Sequence, residues 1–276
     1  MFKEKPVAPL DKKTKEEMTP PSEHDARFSE VLGGGEYDEL LLALEYYDEF
    51  QAETGQALHE YLSHNCENQE IVQVLEAGPG TGITTIQLIK ADPRVRIISV
   101  DNELKMLEAV KAKFANVEEL QERVKFVFSD ILAYLESCED GSLDAFASVY
   151  TLHNFKPDFR RQVLGEISKK LKPGGIFING DKYARQAQMH QTDFDGEINN
   201  YKKFSIHADE LEKAGDHKGA SHFREVQQAW VKHADEDETN KITVDEQNDI
   251  FEELGFEDIK WGKRFDLVTT VSAIKK

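Results

Sequence analysis

The chain has 276 residues, with 53 acidic against 34 basic residues and a formal net charge of −19 at pH 7. Such a charge repels phosphate backbones and disfavours a nucleic-acid partner. No apolar run approaches the ~20 residues that a membrane span needs, and the N-terminal residues lack the apolar core of a signal peptide. We therefore expect a cytoplasmic protein that acts on neither a membrane nor a nucleic acid, and a homodimer remains open.

The N-terminal part divides into a tail and a helical segment. Residues 1–27 are rich in Lys, Glu and Pro, which predicts a mobile tail. The glycines at 33–35 are expected to act as a hinge, and a helix with one apolar face is predicted after them. Thr54-Gly55 is predicted to interrupt it, with a second helix following. These helices, within residues 28–66, are expected to cover a ligand site.

A glycine-rich turn over residues 74–82, Val-Leu-Glu-Ala-Gly-Pro-Gly-Thr-Gly, is the most informative segment. An apolar run predicts a buried strand before it, and a helical pattern begins at 81–85. Glycine permits a positive φ and lets a ligand approach the backbone closely. A strand, a glycine turn and a helix N-terminus together predict a cradle for a nucleotide.

Further strands are predicted by apolar runs at residues 95–100, 124–128, 143–150, 176–179, 256–261 and 267–271, with helical patterns between most of them. This alternation predicts a doubly wound α/β sheet in one domain over residues 28–276. Residues 184–245 form a polar, mostly helical insertion after the fifth strand. Together with residues 28–66 they are expected to cap the carboxyl edge, where open α/β sheets bind ligands.

Asp101 ends the second predicted strand, nineteen residues after Gly82 (101 − 82). An α/β nucleotide fold places there the carboxylate that accepts hydrogen bonds from the ribose hydroxyls. Asp101 is therefore the predicted ribose-binding residue.

The segment Glu76-Ala-Gly-Pro-Gly-Thr-Gly82 resembles the first motif of class I S-adenosylmethionine-dependent methyltransferases. Asp101-Asn102, Ser129-Asp130-Ile131 and Leu171-Lys-Pro-Gly-Gly175 follow in the order that this family has. The resemblance implies a mostly parallel, seven-stranded Rossmann-like sheet with an antiparallel last strand, and S-adenosyl-L-methionine as cofactor. It also implies that Asn102 faces the adenine and that Asp130 accepts from the adenine amino group. The implied cofactor residues are Glu76, Gly78, Gly80, Gly82, Asp101, Asn102, Met106, Asp130, Ile131 and Tyr150.

Methyl transfer needs alignment, exclusion of water and, for a hydroxyl or ammonium acceptor, a base. His153 follows the fourth strand beside the expected methyl position and is the candidate catalytic base, with a purely structural role as the alternative. Asp181-Lys182-Tyr183 ends the fifth strand and offers further polar groups.

We expect the acceptor between the 184–245 insertion and the 36–64 helices. The predicted substrate residues are Tyr46, Tyr47, His153 and Tyr183.

Histidines and cysteines show no metal-binding pattern. His217 and His222 are five residues apart, a spacing that does not place both on one helix face, and no cysteine accompanies them. Cys66 and Cys138 are expected to be free thiols. We therefore predict no metal.

A second resemblance concerns the reaction. Thr151-Leu152, Phe155 and Pro173-Gly-Gly175 are similar to the carboxy-S-adenosylmethionine synthases, which transfer a carboxylate-bearing fragment on the same fold. Such enzymes need an arginine to bind that carboxylate, and residues 184–245 contain only Arg185 and Arg224. This function, or that of a tRNA-modification-related enzyme on the same fold, is the alternative.

Two other classes share the fold. A nicotinamide-dependent oxidoreductase would require G-x-G-x-x-G spacing at the turn, whereas the glycines here alternate. A non-catalytic protein would tend to lose the carboxylates of Glu76, Asp101 and Asp130, all of which are present.

Overall fold

A central β-sheet with helices on both faces organises the chain in the computed structural model, which describes residues 39, 43–44, 46–66, 69–184, 190–237 and 242–276. The strands are β1 (Val72–Ala77), β2 (Val95–Asp101), β3 (Val124–Phe128), β4 (Leu143–Val149), β5 (Leu171–Ala184), β6 (Ile242–Thr243), β7 (Phe256–Phe265) and β8 (Val268–Lys275). The helices of the described ranges are α1 (Tyr47–Asn65), α2 (Ile83–Ala91), α3 (Leu104–Phe114), α4 (Glu118–Arg123), α5 (Ile131–Ser137), α6 (Pro157–Lys170), α7 (His190–Lys213), α8 (His217–Asp237) and α9 (Val244–Glu253). A short 3₁₀ turn spans Leu152–Asn154.

The strand order is β3-β2-β1-β4-β5-β8-β7, with β6 paired to β5. Neighbouring strands run parallel except at β8, which is antiparallel to both β5 and β7. The predicted doubly wound sheet with an antiparallel last strand is therefore confirmed. The strand count is eight rather than seven, because two residues of the insertion's end, Ile242–Thr243, pair with the extended end of β5.

The chain leaves β1 toward β2 and β3 on one side and later returns to β4 on the other. This reversal opens a crevice at the carboxyl ends of β1 and β4, the place where open α/β sheets bind ligands. β4 is buried along its whole length, as expected for a central strand that helices cover on both faces. The topology alone thus marks one edge of the sheet as the ligand edge.

Side chains of successive strand residues enter two separate cores, one on each face of the sheet. Phe177 packs in the core that α6 and α9 cover, whereas Ile176 and Ile178 pack in the core under α1 and α2. The alternation follows from the two-residue period of a strand. Both faces of the central strands are therefore apolar, as expected for strands that helices cover on both sides.

The helix α1 corrects one prediction. Thr54-Gly55 does not interrupt it, since a single helix spans Tyr47–Asn65. A Cβ placed on Gly55 would lie 2.6 Å from the backbone oxygen of Gln87 on α2. The glycine therefore serves the close approach of two helices rather than a break in one.

Strand β5 is longer than the predicted residues 176–179. Its pairing with β8 continues from Ile176 to Lys182, and the strand ends only at Ala184. This pairing carries Asp181 and Lys182 beyond the point where the neighbouring β4 ends, toward the ligand edge.

The insertion forms a helical hairpin of α7 and α8, so its mostly helical character is confirmed for residues 190–237. Tyr201, Phe204 and Trp230 of the hairpin pack with Leu44 and Tyr47 of the N-terminal segment. The predicted tail at 1–27 and the glycines at 33–35 lie outside the described residues. In the described ranges no helix is long and apolar enough to cross a membrane.

Candidate functional site

In the turn between β1 and α2, each of the three glycines meets a different structural need. Gly78, Gly80 and Gly82 have φ values of 66°, 53° and 88°, which favour glycine. A Cβ on Gly78 would lie 2.3 Å from Thr151 Oγ1, and one on Gly82 would lie 2.5 Å from a methyl carbon of Val110. No atom lies within 4 Å of a Cβ on Gly80. Two glycines are therefore needed for packing, and Gly80 leaves room for a ligand.

Glu76 lies behind this turn and is fully buried. Its Oε2 accepts hydrogen bonds from Thr85 Oγ1 at 2.8 Å and from Ser99 Oγ at 2.5 Å. Burial raises the pKa of Glu76 to about 7, although both hydrogen bonds oppose that rise. The carboxyl group thus joins β1 to α2 and β2 beneath the turn.

A first cavity opens above the glycine turn, at the carboxyl ends of β1, β2 and β4. Most of the predicted cofactor residues line it. These are Gly78, Gly80, Asp101, Asn102, Met106, Ile131 and Tyr150. Glu76 and Gly82 support the turn from behind. The sequence reasoning missed Gln51 and Thr84, whose 2.6 Å hydrogen bond joins α1 to α2 at the cavity wall.

Asp101 and Asp130, the two acidic residues predicted to bind the adenosine, lie in different environments. Asp101 lines the first cavity, and its Oδ1 accepts from the Glu103 amide at 2.9 Å. Asp130 caps α5, because its Oδ1 accepts from the amides of Leu132 and Ala133. Near Asp130 the cavity is lined by Ser129 and Ile131 instead. The adenine role of Asp130 thus stays a prediction.

A second, smaller cavity lies between the helical hairpin, the N-terminal segment and the ends of β4 and β5. Its walls combine aromatic rings with a few charged groups. They comprise Leu44, Tyr46, Tyr150, His153, Lys182, Glu197, Asn200, Tyr201, Trp230, Leu267 and Val268.

His153 lines this second cavity and forms a buried pair with Asp181. His153 Nδ1 lies 2.6 Å from Asp181 Oδ1, and the His153 amide donates to Asp181 Oδ2 at 3.0 Å. Burial by itself would raise the pKa of Asp181, but the charge of His153 and its hydrogen bond outweigh burial and lower that pKa. An ionised Asp181 accepts the Nδ1 proton, so a neutral ring carries its lone pair on Nε2.

A second buried pair connects β5 to the hairpin. Lys182 Nζ lies 2.5 Å from Glu197 Oε1, and each side chain is 5% exposed. Tyr201 donates to the same oxygen at 2.9 Å. The sequence pattern contained no signal for Glu197, because its partner lies on a different element, fifteen residues earlier (197 − 182).

Tyr46 and Tyr47 contact different cavities. Tyr46 lines the second and stacks on Phe265 with ring centroids 5.4 Å apart, whereas Tyr47 lines the first. Both predicted positions therefore reach the ligand edge.

Tyr183 corrects the predicted substrate set. It lines neither cavity, because strand side chains alternate and Lys182 faces the second cavity in its place. Tyr183 packs edge-on against Trp261 at 4.9 Å, and its hydroxyl accepts from Asn179 at 2.7 Å. It belongs to the core under α9.

Tyr150 has a left-handed backbone with a φ of 54°, a conformation that costs a residue with a side chain about 1–3 kcal/mol. The neighbouring structure holds it there. Its amide donates to the Gly180 oxygen at 2.9 Å, and its own oxygen accepts from Asn154 Nδ2 at 3.2 Å.

The sheet order and the glycine turn under the first cavity define a nucleotide-binding α/β protein of the Rossmann-like class. Residues 74–175 match the family model described as "Methyltransferase domain". This match covers the sheet from β1 to the start of β5, 102 of the 276 residues (175 − 74 + 1), and makes this part of the chain similar to methyltransferase domains, whose cofactor is S-adenosyl-L-methionine.

Curated relatives match only part of the chain. The carboxy-S-adenosyl-L-methionine synthase of Nautilia profundicola is 30% identical over 110 residues, which are 40% of this chain and 44% of that protein. An uncharacterised methyltransferase of Schizosaccharomyces pombe is 34% identical over 116 residues, 42% of this chain and 41% of that protein. The chain thus spans less than half the length of either relative.

A solved carbon methyltransferase, DszA, shares the fold. It superimposes with a TM-score of 0.55 at 15% identity, over 83% of this chain and 54% of that chain. At that identity the likeness shows the fold alone.

Proposed function

We propose that the protein transfers the methyl group of S-adenosylmethionine to a small molecule held in the second cavity, by in-line displacement. One observation carries the proposal: the first cavity and the second cavity share Tyr150 as a wall, and the second is lined by His153, which pairs with the buried Asp181. A methyl donor in one cavity would therefore face an acceptor in the other.

The chemistry assigns a role to His153. The acceptor's lone pair attacks the methyl carbon, and the carbon–sulfur bond breaks with its electron pair passing to sulfur. A hydroxyl or ammonium acceptor also loses a proton, which His153 Nε2 can take as general base. Asp181 holds the ring in the required tautomer and stabilises the imidazolium that forms.

The walls of the second cavity suit a small, partly apolar acceptor. Tyr46, Tyr201 and Trp230 supply apolar and aromatic surface, while His153 and Asn200 supply polar atoms that can orient a ligand. Small-molecule sites commonly combine these two features. The hairpin and the N-terminal segment supply most of these walls, and in this proposal they would limit the access of water to the reacting atoms, as methyl transfer requires.

Carboxyl transfer is the second candidate, favoured by the similarity to the Nautilia profundicola synthase. The cavity walls favour it less. Among the described residues that line the two cavities there is no arginine, and the Lys182 ammonium is held by Glu197. Of the two insertion arginines, Arg224 pairs with Asp209 and Glu212 on the surface, and Arg185 lies outside the described residues.

Cofactor binding is tested by calorimetry with S-adenosylmethionine and S-adenosylhomocysteine. Asp101→Ala should lose at least tenfold in affinity, because hydrogen bonds to a charged acceptor contribute about 1.5–3 kcal/mol each. The exposed Glu108→Ala on α3 is the matched control and should bind as the parent does. A preference of the parent for NADH over both ligands would refute the assignment.

The reaction is tested with methyl-labelled cofactor and a small-molecule cell extract, with products identified by mass spectrometry. We expect a labelled methyl group on an acceptor and S-adenosylhomocysteine as co-product. His153→Ala should reduce turnover about 10²–10⁴-fold with cofactor affinity within twofold of the parent. A cofactor that itself gains a carboxylate would establish the second candidate instead.

A further inference from the structure

Tyr150 occupies the junction of the two cavities. Within the described part of the chain it is the one residue that lines both. The adenosine end of the first cavity is marked by Asp101 and Met106, far along the sheet edge from Tyr150 on the neighbouring side of β1. A methyl group that passes from one cavity to the other must do so beside Tyr150.

The fold directs this side chain through a strained turn. The left-handed backbone of Tyr150 is held on one side by Gly180 and on the other by Asn154. The next residue, Thr151, donates to the Ala77 oxygen at 3.2 Å and packs against Gly78. The same contact therefore positions the glycine turn and Tyr150. Strain that neighbouring hydrogen bonds maintain is common where a side chain must be aimed at a ligand.

The ring of Tyr150 presents an aromatic surface at this point. It lies parallel to Tyr47 with centroids 6.1 Å apart, a distance typical of offset rings. Phe50 contacts it edge-on at 5.1 Å and His153 at 6.3 Å. An offset partner leaves much of a ring face uncovered, and an aromatic face attracts a cation.

We propose that Tyr150 is the positioning residue of the methyl transfer, and that its ring binds the positively charged sulfonium so that the methyl group points into the second cavity. The proposal rests on the proposed function, because it assumes that the first cavity holds S-adenosylmethionine. It adds a residue that discriminates the charged methyl donor from its neutral product.

The test compares ligands that differ only at the sulfur position, so it needs no knowledge of the acceptor. Calorimetry measures S-adenosylmethionine and sinefungin, which are cationic there, and S-adenosylhomocysteine, which is neutral. In Tyr150→Leu the preference for the cationic ligands over the neutral one should fall about 3- to 30-fold. In Tyr150→Phe, which keeps the ring, that preference should stay within twofold of the parent.

Controls separate this role from a structural one. Asp101→Asn, at the ribose end, should weaken all three ligands alike and leave the preference unchanged. If Tyr150→Leu does not fold, Tyr150→Gly relieves the left-handed backbone and removes the same ring. An equal loss for all three ligands in the Leu or Gly variant, or a loss in Tyr150→Phe as large as in Tyr150→Leu, would overturn the proposal. Failure of the parent to bind S-adenosylmethionine at all would refute the proposed function instead.

Discussion

Single residues at the ligand edge combine structural and chemical demands. Glu76 is an ionisable group without access to solvent, and its two hydroxyl partners come from α2 and β2. The sequence pattern indicated Glu76 as part of the cofactor motif, yet it lies behind the glycine turn rather than in the cavity wall. Its burial makes the stability of the apo protein depend on pH.

Glu76→Gln is expected to weaken that dependence. The pKa of Glu76 is about 7 in the folded protein against an ordinary value of 4.5, so the folded state binds more protons between these two values. The free energy of unfolding of the parent should therefore fall as pH rises from about 4.5 to 7. The difference between the two pKa values corresponds to about 3 kcal/mol, an upper bound.

Urea unfolding at pH 5 and pH 8 measures the effect. The parent should lose stability between these pH values by up to about 3 kcal/mol more than the Gln variant. The exposed Glu108→Gln is the control and should follow the parent. Identical changes in the parent and in Glu76→Gln would contradict the assignment of the raised pKa.

At the scale of elements, contacts with a partner element decide where a helix or strand ends when the local sequence pattern leaves its end ambiguous. Thr54-Gly55 has the composition of a helix break, but α1 continues through it because it packs closely on α2. Strand β5 similarly extends beyond the end of its apolar run, because β8 pairs with it as far as Lys182. In both cases a partner distant in sequence supplies the stabilising contact.

Gly55→Ala is expected to destabilise the protein by about 1–3 kcal/mol, because its Cβ would overlap the Gln87 backbone and force α1 away from α2. Gly165→Ala, inside α6, is the matched control. No atom lies within 4 Å of a Cβ there, so alanine's better helix propensity should stabilise by up to about 1 kcal/mol. Urea unfolding of both variants gives the comparison, and a neutral Gly55→Ala would show that the helices can separate without loss.

At the scale of the molecule, the described residues form the central sheet and, beside its ligand edge, the α7–α8 hairpin with the N-terminal segment packed against it. Two polar contacts join the hairpin to other elements. Glu39 Oε1 lies 2.8 Å from His222 Nε2, and Lys182 of β5 pairs with Glu197 of α7. We propose that the hairpin and the N-terminal segment open and close as a cap when a ligand enters the second cavity.

Hydrogen exchange should detect this motion. We expect protection of α7, α8 and residues 43–50 to rise when S-adenosylhomocysteine binds, and to rise again with the acceptor. The helix α9, packed on the opposite face from α1, serves as an internal control and should change little. Changes confined to residues 76–82 and 101–131 would contradict the closing cap and would place the acceptor elsewhere.

The sequence by itself determined the sheet and one half of the site. Positive φ values at Gly78 and Gly80 and the apolar runs of the strands are local requirements, and local patterns record them. Asp101 could be placed from its spacing, because parallel strands bring their carboxyl ends to one edge of a sheet.

Only the tertiary structure decided the other half of the site, which is the second cavity. His153 meets Asp181 across 28 residues, and Glu39 meets His222 across 183. Periodicity predicts whether a side chain is buried but not which partner it meets. The second cavity depends on such pairings, so the acceptor side of the site follows from how the insertion and the N-terminal segment pack on the sheet.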